Sequence, residues 1–275
     1  MKLKTIPIRG LILLALLAGC GTSGQTGHAT ANRDGSLERV HKAGVLLWGA
    51  DVVGGVPYVY EDPQHPGQFV GFEKEIADGI ARELGVKLKL VVRAWDTLIP
   101  DLQRGSFDMA MNGIEDTPER ARIVLFSEPY YVYSQQLTVR KETSGINRLD
   151  DLKGRRVATL SGTAAEDILR KTPAVQAVVD PEIIYSYQDL EHGKVDAVLL
   201  DKPIAVAYGA SNPRLKNVGE SFSEGRYVIV FRQEDKALRE AVNEALEKMK
   251  RSGALKAIFE KYGILDAHQK QIGLE

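Results

Sequence analysis

The chain has 275 residues, of which 44% are hydrophobic and 27% charged, a globular composition that excludes a disordered or fibrous protein. Its 36 Lys and Arg residues nearly balance 37 Asp and Glu residues, so a formal net charge of −1 offers no broad positive surface to nucleic acid. A single Cys excludes a disulfide framework and a cysteine-based zinc cluster, and the five His residues are widely scattered. We expect no metal, no cofactor and no nucleic-acid partner.

The N-terminus has the pattern of a bacterial export signal. A short cationic start precedes an apolar run over 11–17, which is too short to cross a bilayer because a spanning helix needs about 20 residues. The run ends in Leu-Ala-Gly-Cys at 17–20, which resembles a lipobox. We predict a signal peptide over 1–19, a lipid anchor on Cys20 and a flexible tether over 20–36. A plain secretory signal with an incidental cysteine is the alternative.

The rest of the chain alternates between strand and helix patterns. Predicted strands cover 45–50, 86–90, 107–111, 156–160, 183–185, 195–200 and 227–231. Predicted helical segments cover 72–84, 98–102, 149–152, 164–171, 238–249 and 254–262, and two more start near 117 and 203. Asp96 and Thr117 are positioned as helix caps, the latter followed by Pro118. This alternation predicts an α/β fold with largely parallel sheets and a ligand site beyond the carboxyl ends of the strands.

Several short motifs occur in the order and at the spacing of one protein family. They are Gly71-Phe72-Glu73, Trp95-Asp96-Thr97-Leu98, Gly105-Ser106-Phe107-Asp108, Thr117-Pro118-Glu119-Arg120, Phe126-Ser127-Glu128-Pro129-Tyr130-Tyr131, Asp150-Asp151-Leu152-Lys153-Gly154, Ser161-Gly162-Thr163, Val195-Asp196-Ala197 and Glu260-Lys261-Tyr262-Gly263. Together they span nearly all of 40–265. Through them the chain resembles the bacterial solute-binding proteins that deliver polar amino acids to ABC importers.

The resemblance implies a two-lobed periplasmic-binding-protein fold of type II, with two crossover strands joining the lobes and the ligand in the cleft between them. It assigns 37–131 and 226–275 to the first lobe and 132–225 to the second. We expect the ligand to close the lobes by a hinge motion. The expected partners are the permease and ATPase of an ABC system. The protein is expected to be a monomer, lipid-anchored in the periplasm or on the extracytoplasmic face of a bacterial membrane.

A bound amino acid needs an anion site and a cation site a few ångströms apart. Arg120 is the candidate for the α-carboxylate, because it lies in the first turn of a helix and a guanidinium can grip a carboxylate with two parallel hydrogen bonds. The alternative is an arginine paired with Glu119 or Glu115. Thr163, at the start of a second-lobe helix, offers its N–H and hydroxyl to the same carboxylate; a plain capping threonine is the alternative.

The resemblance also implies the remaining ligand contacts. It assigns the α-ammonium to Asp201, helped by the backbone carbonyl of Gly113; the alternative for Asp201 is a helix cap before Pro203. Trp95 matches an aromatic position that packs on the ligand side chain, where an indole attracts a cation, and a core tryptophan is the alternative. Asp51 matches a position that reads a basic side chain, and its alternative is a solvated loop acid.

Glu115 departs from the family pattern, since relatives commonly have Ser or Thr at this position. A carboxylate here can bind the α-ammonium or a positively charged side chain, and it repels the ligand carboxylate unless Arg120 screens it. Asp51, Glu115 and Asp201 together predict an acidic pocket. Such a pocket favours a basic or uncharged polar amino acid over glutamate or aspartate.

A second departure concerns the aromatic ring that often precedes the proline matching Pro57. The chain lacks an aromatic residue there and appears one residue longer in this loop. We expect Tyr58 or Tyr60 to supply the ring.

Two other functions remain open from the sequence. Cyclohexadienyl and arogenate dehydratases resemble these binding proteins, and Glu115 is the candidate acid for expelling water if burial keeps it protonated. The other is a sensory module that presents its ligand to a membrane receptor, which requires a partner protein. No nucleophile elbow or metal motif in the sequence supports other catalysis.

Overall fold

A computed structural model of the chain describes residues 34–53 and 55–274. The predicted signal peptide, Cys20 and most of the predicted tether lie outside these residues. The helices are α1 (Ser36–Ala43), α2 (Phe72–Glu83), α3 (Leu98–Gln103), α4 (Pro118–Ala121), α5 (Ala164–Lys171), α6 (Ile183–Glu191), α7 (Lys202–Ile204), α8 (Lys236–Arg251) and α9 (Ala254–Lys261). The strands are β1 (Val45–Ala50), β2 (Tyr60–Glu61), β3 (Phe69–Val70), β4 (Lys87–Val92), β5 (Met109–Ala110), β6 (Leu125–Phe126), β7 (Tyr131–Arg140), β8 (Arg156–Leu160), β9 (Gln176–Asp180), β10 (Ala197–Asp201), β11 (Leu215–Tyr227) and β12 (Val230–Phe231). None of the helices in this part of the chain has both the length and the apolar character needed to cross a membrane.

The first sheet has the strand order β4-β1-β5-β12-β6. β1 runs parallel to both β4 and β5, whereas β12 runs antiparallel to β5 and β6. Helix α2 buries Ile76 and Ile80 one turn apart, the spacing of an apolar helix face, and packs against α8 and α9. Trp48 of β1 and Phe72 at the start of α2 are fully buried in the same core. We call the part of the chain around this sheet the first lobe.

The second sheet has the strand order β11-β7-β10-β8-β9 and forms what we call the second lobe. β8 runs parallel to β9 and β10, and β7 is antiparallel to β10 and β11. The chain enters this sheet through β7 and leaves it through β11, and these two strands pair along their length. The result is the two-lobed α/β architecture that the sequence predicts. The predicted lobe boundaries at 131/132 and 225/226 fall within these two strands and stay a prediction.

The predicted strand over 183–185 is wrong. Ile183 begins helix α6, and the strand of this region is β9, which ends at Asp180. β-Branched and aromatic residues favour a strand, but Ile183, Tyr187 and Leu190 are buried at the three- to four-residue spacing of a helix face.

Two further differences concern a cap and the long strands. Asp96 lies inside a short 3₁₀ turn over Trp95–Thr97 and makes no capping hydrogen bond. The sequence patterns also leave β7 and β11 without a prediction. β7 is buried on both faces, including its polar Gln135 and Thr138, so it lacks the alternation of a half-buried strand.

Candidate functional site

A cavity lies between the two lobes, at the carboxyl ends of β1, β8 and β10. It is lined by Asp51, Val53, Gly55, Tyr58, Trp95, Asn112, Gly113 and Glu115 from the first lobe and by Leu160, Thr163, Glu182, Ile183, Asp201 and Ile204 from the second. The structure therefore brings together the ligand-binding residues that the sequence predicts, with the exception of Arg120. The guanidinium of Arg120 bonds to Glu115 and does not line the cavity. The position follows from the topology, because ligand sites in α/β folds lie beyond the carboxyl ends of strands.

The cavity is small as the lobes stand in this structure. Its volume is about 40 Å³, which is room for about three water molecules at roughly 10–15 Å³ each. The wider empty space among the lining residues, which is partly open to solvent, is about 480 Å³.

Arg120, on the short helix α4, does not line the cavity but is bonded to Glu115, which does. Thr117 caps this helix by accepting the N–H of Arg120 at 3.3 Å, and Pro118 takes the first helical position, as predicted. The guanidinium Nη1 donates to the carboxylate of Glu115 and, at 3.0 Å, to the carbonyl of Glu115. Its Nη2 donates to the carbonyl of Gly162 in the second lobe at 3.0 Å. The ion pair with Glu115, which is the alternative given above for Arg120, is thus present in the structure. The predicted contact of Arg120 with a ligand carboxylate stays a prediction.

Trp95 supports this arginine. The guanidinium carbon of Arg120 lies 5.6 Å from the centroid of the indole ring, a cation–π distance. The indole Nε1–H donates across the lobes to the carbonyl of Ser161 at 3.2 Å. Trp95 is half-buried and also lines the cavity. The ring of Trp95 therefore already contacts a cation of the protein, the guanidinium of Arg120. Its predicted contact with a ligand side chain stays a prediction.

Glu115 is almost completely buried and joins the lobes. Besides the bond from Arg120, its carboxylate accepts the N–H of Ala164, the first residue of α5, at 3.0 Å. Thr163 caps α5 by accepting the N–H of Glu166 at 3.3 Å, and its hydroxyl donates to the carbonyl of Leu160 at 2.8 Å. The hydroxyl of Thr163 is thus committed to its own turn. In this structure α5 reaches a carboxylate through the N–H of Ala164.

Asp201 lines the cavity from the end of β10, where the sequence predicted it to face the cleft. Its carboxylate accepts hydrogen bonds from the Gln135 amide and from the Tyr227 hydroxyl, which in turn accepts from the Tyr58 hydroxyl at 2.8 Å. It makes no capping bond to the helix that follows, so the alternative role is not realised. Burial, followed by the negative charge of Glu115, raises the pKa of Asp201 to about 8.

Gly113 is held from behind by a second buried carboxylate. Its N–H donates to Glu73 of α2 at 2.7 Å, and the hydroxyl of Tyr130 donates to the same carboxylate. Burial raises the pKa of Glu73 to about 8. Gly113 has a φ of +64°, and a Cβ there would lie 3.0 Å from the ring of Tyr58. Only glycine fits this turn without strain, and the predicted role of its carbonyl stays a prediction.

Asp51 organises the first-lobe rim of the cavity. Its carboxylate accepts the N–H of Val53 at 2.8 Å and of Trp95 at 2.9 Å, and its own N–H donates to the Asn112 side chain at 3.0 Å. Burial is the main cause of a raised pKa of Asp51. The side chain is buried rather than solvated, so its alternative as a solvated loop acid does not hold.

Glu182 is a site residue that the sequence reasoning missed. It precedes α6 and lines the second-lobe side of the cavity. Burial, together with the charges of Asp51 and Asp96, raises its pKa. The signal was its place after strand β9, where ligand-facing residues lie. Because the strand was predicted at 183–185, Glu182 was placed before a strand instead of after one. The other lining residues missed are Val53, Gly55, Asn112, Leu160, Ile183 and Ile204.

The charged side chains that line the cavity are all acidic. Four carboxyl side chains line it, those of Asp51, Glu115, Glu182 and Asp201, and among the described residues no Lys or Arg does. Tyr58, rather than Tyr60, supplies a ring to the lining. Such a cavity attracts cationic groups.

Comparisons with known proteins identify the family of the chain. Residues 52–264 match the sequence profile of the bacterial extracellular solute-binding proteins, family 3. The L-cystine-binding protein TcyJ of Escherichia coli is 32% identical over 263 residues, which are 93% of this chain and 94% of TcyJ. The solved structure of an ancestral arginine-binding protein bound to arginine is 36% identical with a TM-score of 0.75, covering 80% of this chain and 98% of that one. The ancestral amino acid-binding protein AncCDT-1, a precursor of cyclohexadienyl dehydratase, is 32% identical with a TM-score of 0.77 and covers 82% and 99%. The chain belongs to the bacterial extracellular solute-binding proteins of family 3.

Proposed function

We propose that this protein is the substrate-binding component of an ABC importer, which captures a polar amino acid between its lobes and delivers it to a permease driven by an ATPase. The observation that carries the proposal is the make-up of the interlobe cavity. Donors for an anion, the N-terminus of α5 and the Arg120 guanidinium that is bonded to Glu115, lie beside one part of its lining, and the buried carboxyl group of Asp201 belongs to the lining as well. A zwitterion requires both. Family membership and relatives described as binding cystine and arginine support the same function.

Each end of the cavity suits one charged group of an amino acid. At one end, Arg120 and the N–H of Ala164 can donate to an α-carboxylate, because a guanidinium and the first N–H of a helix both favour an anion. At the other end, Asp201 can accept from an α-ammonium. Asp51 and Glu182 then remain for the ligand side chain. Two more carboxylates favour a basic or neutral side chain over an acidic one.

The cellular setting is proposed from the sequence. Family membership implies an extracytoplasmic location. We propose in addition that Cys20 carries the lipid anchor, that 20–36 is the tether, and that the protein acts as a monomer with lobes at 37–131 plus 226–275 and at 132–225. Incorporation of labelled palmitate in cells, abolished by Cys20→Ser, tests the anchor; labelling that persists in the variant would contradict it.

Binding, rather than catalysis, fits the contacts of Glu115. Both of its carboxylate oxygens accept hydrogen bonds, one from Arg120 and the other from the N–H of Ala164. Both oxygens are thus engaged by donors of the protein, whereas a dehydratase acid needs a carboxyl oxygen within hydrogen-bond reach of the substrate. The dehydratase alternative is therefore kept only as an outcome of the test below.

Thermal unfolding tests the proposal. The protein without its predicted signal peptide is unfolded in the presence of each of the twenty amino acids, ornithine, polyamines and prephenate. A ligand at 100 times its Kd adds about 2.7 kcal/mol to the free energy of unfolding. Stabilisation by a polar or basic amino acid that is lost in Arg120→Ala supports the function. Stabilisation by polyamines alone, turnover of prephenate, or no shift with any compound would contradict it.

A further inference from the structure

Glu115 places its carboxylate where the proposed function needs the carboxylate of the ligand. One oxygen accepts from Nη1 of Arg120, and the other accepts from the N–H of Ala164 at 3.0 Å. These are the two donors assigned above to a ligand α-carboxylate. The side chains of Glu115 and Arg120 are 2% and 15% exposed, so water barely competes for this pair. The anion end of the cavity is thus already occupied by a group of the protein.

We propose that Glu115 is a specificity-determining residue whose carboxylate is a tethered competitor: an amino acid must displace it from Arg120 and Ala164 before its own carboxylate can bind there. This inference rests on the proposed function. It adds that the affinity for an amino acid depends on the difference between two binding free energies at one site, that of the ligand carboxylate and that of the Glu115 carboxylate. The bound ligand competes with a group that never diffuses away, so its apparent affinity is lowered.

The lining of the cavity supports displacement. Glu115 lines it together with Asp51, Glu182 and Asp201, so its carboxylate has the cavity beside it when it leaves Arg120. A displaced Glu115 would stay within the cavity, whose other carboxyl groups are proposed above to face the ammonium and the side chain of the ligand. There it attracts an ammonium and repels a second carboxylate. A displaced Glu115 therefore selects against acidic amino acids.

The same carboxylate also joins the two lobes in this structure. Three hydrogen bonds cross from the first lobe to the segment 161–164 of the second: Glu115 to the Ala164 N–H at 3.0 Å, Arg120 to the Gly162 carbonyl at 3.0 Å, and Trp95 to the Ser161 carbonyl at 3.2 Å. Glu115 takes part in the first directly and orients Arg120 for the second. Removing its carboxylate should weaken the contact between the lobes.

The sign of one affinity change distinguishes competition from simple electrostatics. L-Arginine carries a net positive charge, so deleting a negative charge from the cavity should weaken its binding. Deleting a competitor should strengthen it. By isothermal titration calorimetry, we expect Glu115→Ser to raise the affinity for L-arginine at least tenfold. Glu182→Gln is the matched control, because Glu182 lines the same cavity but bonds to neither Arg120 nor Ala164; we expect it to lower the affinity.

Agmatine, which is arginine without its carboxylate, provides the second arm. It does not compete with Glu115 for Arg120, so Glu115→Ser should lower its affinity while raising that of L-arginine. Weaker or unchanged L-arginine binding in Glu115→Ser would overturn the inference and leave the proposed function standing. Failure of the wild type and of all variants to bind any amino acid would instead overturn the proposed function.

Small-angle X-ray scattering of the ligand-free protein gives a readout that needs no ligand. The radius of gyration should be larger in Glu115→Ser than in the wild type, because the carboxylate that joins the lobes is gone. Glu182→Gln should match the wild type in this measurement. An unchanged radius of gyration in Glu115→Ser would contradict the role of Glu115 between the lobes.

Discussion

The two ends of the cavity neutralise a buried charge in different ways. At the anion end, the charge of Arg120 is compensated by Glu115, an ion pair within the protein. At the cation end, Asp201 is bonded to the neutral groups of Gln135 and Tyr227, and its raised pKa means that a proton removes its charge. One end is thus filled by a carboxylate and the other by a proton. On the proposals above, binding of an amino acid is an exchange at both places, in which the ligand carboxylate replaces Glu115 and its ammonium replaces a proton.

Of the substitutions considered, we expect removal of Arg120 to reduce amino-acid binding the most. Arg120→Ala deletes the donor that a ligand carboxylate needs and leaves Glu115 buried without its partner, and losing one member of a buried pair costs about 3–5 kcal/mol. We expect amino-acid affinity by calorimetry to fall at least a hundredfold. Arg122→Ala, an exposed arginine two residues along the chain, is the matched control and should leave affinity unchanged. Equal effects of the two substitutions would show that Arg120 has no special role.

The proton at the cation end predicts a pH dependence of binding. With a pKa of about 8, Asp201 is protonated in the ligand-free protein near neutral pH. A ligand ammonium needs the ionised form, so binding releases a proton. Affinity should then rise with pH by up to tenfold per unit until about pH 8 and level off above it. Titration calorimetry at pH 6, 7 and 8, in buffers of different ionisation enthalpy, measures both the affinity and the proton release.

Asp201→Asn is the control for that pH dependence. It should weaken binding and remove the rise between pH 6 and 8; a rise that persists would assign the proton to another group. The same pKa has a consequence for folding. Because the pKa of Asp201 in the folded protein lies above its ordinary value of 3.8, the native state holds a proton that the unfolded state loses. Asp201 therefore contributes a fall in stability from about pH 4 to 8, which Asp201→Asn should remove.

Glu73 is a second control for the role of Asp201. It too is a buried carboxyl group with a pKa of about 8, but it does not line the cavity. Glu73→Gln should keep the stability near pH 6 within about 1 kcal/mol and leave the pH dependence of binding in place. Glu73→Ala removes the acceptor of the Gly113 N–H and the Tyr130 hydroxyl and should cost about 2–4 kcal/mol. Denaturant unfolding measures both. A loss of the pH dependence in Glu73→Gln would contradict its assignment to Asp201.

The parts of this site that the sequence predicts are those set by neighbours in the chain. Thr117 and Pro118 fix the start of the helix that carries Arg120, and Thr163 fixes the start of α5, because capping depends on residues only a few positions apart. Asp201 was found for a similar reason, since an apolar strand ends there. The two lobes were implied by the family resemblance that the motifs along the chain carry.

What the sequence leaves open depends on distance in space. The ion pair of Arg120 with Glu115 was one of two possible pairings, and the bond from Ala164 to Glu115 joins residues 49 positions apart. No local pattern shows which carboxylate reaches a helix N-terminus in another lobe. The helix α6 was mistaken for a strand for a related reason, because burial of its apolar face against the second sheet outweighs the strand preference of Ile183.

Substitutions of Trp95 should lower the affinity only slightly, but they distinguish whether its ring packs on Arg120 or on the ligand side chain. Trp95→Phe keeps an aromatic ring beside the guanidinium but removes the Nε1–H bond to Ser161, and one such bond contributes about 0.5–1.5 kcal/mol. We expect amino-acid affinity to fall about two- to tenfold. Trp95→Leu also removes the cation–π contact and should cost roughly 0.5–1 kcal/mol more. If the indole instead packs on the ligand side chain, as the family resemblance implies, the loss in Trp95→Leu should depend strongly on which amino acid is bound. A loss equal for L-arginine and L-glutamine would identify Trp95 as a positioning residue for Arg120, because every amino acid presents the same carboxylate to that end of the cavity.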